Sequence, residues 1–70
     1  MFKKIRDLEP EDIFIMSYFS DLKMGRVIGR TMESVKVELC YSTNSDIRDE
    51  DAVIKEIKYI SPYRFVFKIN

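Results

Sequence analysis

Residues 35–41, Val-Lys-Val-Glu-Leu-Cys-Tyr, alternate apolar and polar side chains over a full strand length. Val35, Val37, Leu39 and Tyr41 fall on one parity; Lys36, Glu38 and Cys40 fall on the other. Period two with β-branched residues is the pattern of a half-buried strand, and it cannot present one apolar face as a helix. The segment before it, residues 24–31, contains both glycines of the chain. It places Arg26, Ile28 and Arg30 on one side and Gly25, Val27 and Gly29 on the other. Glycine weakens a strand unless the backbone bends or is closely approached, so two glycines four residues apart predict a strongly curved strand. Residues 24–41 are therefore expected to form a β-hairpin, closed through Thr31-Met-Glu-Ser34 without an Asn-Gly signal.

The flanking segments extend the β pattern with two ambiguities. Residues 12–19 are nearly continuous in Ile, Phe, Met and Tyr and read preferentially as a strand. The rival is a helix started by Pro10-Glu-Asp12, whose proline and acids suit a first turn. Residues 43–51 read as a polar, acidic loop. Residues 52–60 read as a strand, or as a helix with Val53, Ile57 and Ile60 on one face. Ser61-Pro62 ends either element. Residues 64–69 alternate Phe65, Phe67 and Ile69 with Val66 and Lys68 and read as a closing strand. Phe2, Ile5 and Leu8 recur at a spacing that allows a short N-terminal arm or helix to cover the sheet.

This order resembles the SH3-like small-barrel superfold, which includes Tudor, KOW and Sm-like domains. Leu8-Glu-Pro-Glu-Asp-Ile-Phe-Ile15 is similar to the L-x-P-G-D-x-V-x opening of such barrels, with Glu11 standing where glycine is usual. Gly25-Arg-Val-Ile-Gly followed by Val35-Lys-Val-Glu-Leu39 is similar to their G-x-V … V-x-V hairpin. Ile57-Lys-Tyr-Ile-Ser-Pro62 resembles the penultimate strand and the short turn after it. The resemblance implies a mainly β domain, a five-stranded barrel with a short N-terminal arm or helix. The alternative is an α+β fold in the order αββαβ.

Seventy residues make one domain, residues 1–70. A chain this short buries only about 60% of its unfolded surface, so its core is thin. Cys40 is the single cysteine and there is no histidine, which excludes an intrachain disulfide and the usual zinc ligand sets. Without histidine a Ser–His or Cys–His pair cannot be built, and no Walker A, Rossmann or G-x-S-x-G motif occurs. The expectation is a non-enzymatic protein with no cofactor and no metal. Asp46-Ile-Arg-Asp-Glu-Asp51 is acidic, but Ile47 and Arg48 break calcium-loop spacing and no glycine follows. Nothing near Cys40 in sequence marks it as reactive, and a small, partly buried side chain is expected there. A free thiol, no export signal and no long apolar run point to a cytoplasmic protein without a membrane span.

Twelve basic and twelve acidic residues cancel, whereas a dedicated nucleic-acid binder usually shows a basic excess. The distribution is uneven: residues 32–52 carry two basic and six acidic side chains, and residues 53–70 carry four and one. Opposite faces of charge suit protein contacts or self-association. The strongest functional signal is aromatic and basic. Phe14, Met16 and Tyr18 share one parity of their strand, and Arg26 and Arg30 share one parity of the next. Three readings follow, in order: cover by the N-terminal segment, a protein-binding or self-association surface, and a nucleic-acid face that stacks bases beside arginines. Sm-like proteins bind RNA, but their Asp and Asn loop motif is absent after Gly29-Arg-Thr-Met-Glu33. An aromatic cage would have to draw on Tyr18, Tyr41, Tyr59 and Tyr63, which are scattered. The expected function is an interaction module that binds a protein partner, an adaptor or inhibitor of the size of small phage and bacterial accessory proteins. The alternative is a nucleic-acid-binding barrel.

Overall fold

A computed structural model describes residues 1–40, 46–51 and 54–70. Within them the chain is mainly β, in six strands: β1 (Phe2–Lys4), β2 (Ile13–Tyr18), β3 (Asp21–Arg30), β4 (Val35–Cys40), β5 (Lys55–Ile60) and β6 (Phe65–Lys68). They form one antiparallel sheet in the order β1-β6-β2-β3-β4-β5. The sheet is open, with β1 and β5 as its edges, and differs from the expected five-stranded barrel. The extra strand comes from the N-terminus: Phe2–Lys4 pairs with β6, and a 3-10 turn at Ile5–Asp7 follows. The αββαβ alternative does not hold for the described residues, where that 3-10 turn is the one helical element.

The two ambiguous segments are strands for different reasons. In β2 apolar side chains enter both faces: Phe14 and Met16 lie in the main core, and Ile13 lies in a second cluster on the other side. A near-continuous apolar run fits that arrangement better than a helix with one wet face. Pro10-Glu-Asp12 closes a turn instead of starting a helix. The Asp12 carboxylate accepts from the Glu9 amide at 2.9 Å, and Glu11 takes a left-handed φ of 75°. In β5, Ile60 is buried opposite Val35 while Ile57 faces out opposite Glu38, a parity that only a strand imposes. Ala52, Val53 and the 41–45 stretch, with Tyr41 and the Ser42-Thr-Asn-Ser cluster, lie outside the described residues.

The β3–β4 hairpin forms as expected, and its turn is held by hydroxyl chemistry. Thr31 Oγ1 accepts from the Ser34 amide at 3.0 Å and the Glu33 amide at 3.2 Å. The β2–β3 connection is a two-residue turn between the paired Tyr18 and Asp21. Its residues, Phe19 and Ser20, have φ of 51° and 70°, the twist a tight hairpin demands but one normally given to Asn-Gly. Within β3, Gly25 lies against Phe14 and Leu39: a Cβ there would sit 2.6 Å from Phe14 Cζ and 2.8 Å from the Glu38 carbonyl oxygen. Gly29 meets no such contact, so only Gly25 is demanded by packing.

The main core is Ile5, Leu8, Phe14, Met16, Val27, Val35, Val37, Leu39, Ile60 and Val66. Ile5 and Leu8 come from the N-terminal segment, which is tied to the β5–β6 turn by the Ile5 amide on Arg64 O (2.8 Å) and the Arg6 amide on Pro62 O (3.1 Å). The second cluster packs Ile13, Cys40 and Ile47 on the outer face, with Met24 and Ile69 beside them. No helix among the described residues is long and apolar enough to cross a membrane.

Candidate functional site

The residues that sequence marked as a binding face are dispersed by the fold. Phe14 and Met16 are buried in the main core beneath Ile5 and Leu8, so intramolecular cover is what the structure shows for them. Tyr18 is half-buried at the end of that core, with Lys23 Nζ 5.4 Å from its ring centre and the Phe19 ring edge-on at 4.6 Å.

Arg26 and Arg30 do not share a face. The register of β3 against β4 shifts between Val27 and Gly29, so that Ile28 forms a bulge and every later side chain changes sides. Arg26 stands opposite Glu38 on the outer face; Arg30 stands opposite Val35 on the core side and donates to the Leu8 carbonyl. Arg26 is also engaged, with Glu38 at 3.6 Å, Glu11 at 3.7 Å, Glu50 at 3.9 Å and the Ile47 carbonyl at 3.4 Å. An arginine held by three carboxylates is a clasp between the acidic loop and the sheet, not a phosphate ligand.

The remaining sequence candidates are structural. Cys40 is fully buried beneath the loop that carries Ile47. Burial, with the nearby Asp46 charge, raises its thiol pKa, which opposes thiolate chemistry. Asp46 accepts from Arg48 through side chain and backbone, and these bonds hold its carboxyl at about 2. Glu50 of the same stretch pairs instead with Lys55 at 3.2 Å and Arg26 at 3.9 Å. Among the described residues no group of three Cys, Asp or Glu side chains is placed to hold a metal ion.

The feature that sequence reasoning missed lies on the outer face of β1, β6, β2 and β3. Strand pairing sets Phe2 opposite Phe67, Phe67 opposite Ile15, and Ser17 opposite Leu22, so these side chains share one face. Phe65 joins them two residues from Phe67. The small Ser17 leaves a depression between Leu22 and the β6 phenylalanines, a groove of about 370 Å³ lined by Phe2, Ile15, Ser17, Leu22, Phe65 and Phe67. Its walls are in water: Phe2 is 74% exposed, Leu22 and Phe65 61% each, and Phe67 38%. Phe2 and Phe67 brace each other edge-to-face at 5.1 Å.

Cations rim this groove at its β1–β6 end. Lys4 Nζ lies 6.0 Å from the Phe65 ring centre and 5.8 Å from that of Tyr63, and the Arg6 guanidinium lies 5.1 Å from Tyr63. Arg64 donates to the Ser17 carbonyl at the groove floor. The alternation of Phe65 and Phe67 around Val66 was the available signal. Val66 takes the parity of β6 that enters the main core, which leaves Phe65 and Phe67 on the outer face. No protein family, curated protein or solved structure matches the chain.

Proposed function

We propose that this protein is a non-enzymatic, cytoplasmic interaction module, an adaptor or inhibitor, that binds a protein partner in the groove between Leu22 and Phe65. One observation carries the reading: four large apolar side chains are exposed together on one sheet face, where a free-standing domain would place polar ones. The occupant is an apolar segment of the partner, and the Lys4, Arg6 and Arg64 rim selects one with acidic neighbours.

A second reading has its own observation. Tyr63 and Phe65 lie beneath Lys4 and Arg6, which is the pairing of stacking platform and cation used for single-stranded nucleic acid. Amide NMR titration separates the two. Peptides with a Leu- and Phe-containing centre between glutamates, the same peptides between lysines, and a single-stranded oligonucleotide are added in turn. Saturable shifts at Ser17, Leu22, Phe65 and Phe67 with the glutamate-flanked peptide, weakened tenfold or more by Leu22→Asp, are expected. Response to the oligonucleotide alone, steeply lost with salt, transfers the function to nucleic acid. No response at these amides to any probe overturns the groove assignment.

A further inference from the structure

The second edge of the sheet, β5, carries its own instructions. Lys55–Ile60 pairs with β4 on one side and ends the sheet on the other. It holds no proline and no bulge, and three large apolar side chains along it are exposed: Ile54, Ile57 and Tyr59. Natural sheets seldom leave an edge of this length bare, because its unpaired amides and carbonyls template another strand. The strand carries three charges: Glu56 and Lys58 stand two residues apart on the core side, 3.6 Å from each other, with Glu56 also 3.6 Å from Lys23, and Lys55 lies on the outer side, 3.2 Å from Glu50.

From this pattern we propose that two copies of the chain pair antiparallel along β5, about a two-fold axis through Ile57. In such a pairing each residue faces one on the same side of the joined sheet, so symmetry fixes which residues meet in each register. Centring on Ile57 places Ile57 against Ile57 of the second copy and Glu56 against Lys58 of the second copy, twice. Lys55 comes opposite Tyr59, and the exposed Ile54 comes opposite Ile60. Centring on Glu56 or on Lys58 sets like charges against each other, and centring on Lys55 does the same. The charges that guard the edge against other strands are thus complementary to their own copy in one register. The continuous sheet has twelve strands, and its two grooves lie at the far ends, free for partners.

Sedimentation equilibrium of the wild type, Glu56→Lys, Lys58→Glu and an equimolar mixture of the two variants tests this, with circular dichroism confirming that each remains folded. The wild type is expected to dimerise with a micromolar dissociation constant, weakened about tenfold or more in either variant alone, where like charges now face each other. The mixture is expected to recover dimer. One chain then presents lysine at both positions and the other presents glutamate at both, so every facing pair is again of opposite charge. A wild type that stays monomeric at about 1 mM overturns the proposal. So does a dimer indifferent to both variants, or loss in both with no recovery on mixing.

Discussion

The two faces of the sheet use similar side chains to opposite ends. On the core side Phe14, Met16 and Val66 are buried by Ile5 and Leu8, which the chain folds over them. On the outer side Ile13 is covered by the loop carrying Ile47, but among the described residues Phe2, Leu22, Phe65 and Phe67 stay largely in water. The hydrophobic effect does not distinguish these residues; the available cover does. Among the described residues two segments act as cover, the N-terminal segment over the main core and the loop of Ile47 over Ile13 and Cys40. What remains apolar and uncovered is the surface to which the proposed partner would bind.

That contrast is broken most severely at Phe14. Phe14→Ala is expected to lose about 3–5 kcal/mol of stability in urea unfolding, a large share of the total for so small a domain. Gly25→Ala attacks the same contact from the other side. Its new Cβ meets Phe14, Leu39 and the Glu38 backbone at once, and a loss of about 2–3 kcal/mol is expected. Glu11→Gly, at a left-handed φ, should stabilise by about 0.5–1 kcal/mol, because Glu11 is mostly exposed and its long ion pair contributes little. Phe65→Ser should leave stability within about 0.5 kcal/mol of wild type while removing the groove's wall. A Phe65 variant that unfolded like Phe14→Ala would show that the outer face belongs to the core after all.

Much of this architecture was legible in the chain. The Val35–Leu39 alternation gave β4 its inward face, and the choice of strands for β2 and β5 followed from β-branched and aromatic content. Gly29 signalled a bend in β3 but not its form, a bulge at Ile28, and that bulge alone separates Arg26 from Arg30. The Phe19-Ser20 turn was hidden because both residues adopt positive φ without glycine or asparagine. The exposed apolar face was misplaced for a related reason. Alternation assigns side chains to two faces but is silent on which face finds cover, and cover here comes from residues distant in sequence. Phe14 and Phe65 look alike until Ile5 and Leu8 are laid across one of them.

The pairing of β1 with β6 has a kinetic consequence. Met1 O accepts from the Lys68 amide at 2.8 Å, and the Ile13 amide donates to the Asn70 side chain at 2.8 Å, so contacts between opposite ends of the sequence complete the sheet. Closing a loop that spans nearly the whole chain costs entropy before any contact offsets it, whereas the β2–β3–β4 meander forms from neighbours. The meander is therefore expected to form first, with the two ends docking last. Until they do, the strip of sheet that carries Phe67 and Phe2 is incomplete, so the exposed apolar face is expected to be completed in the last step of folding.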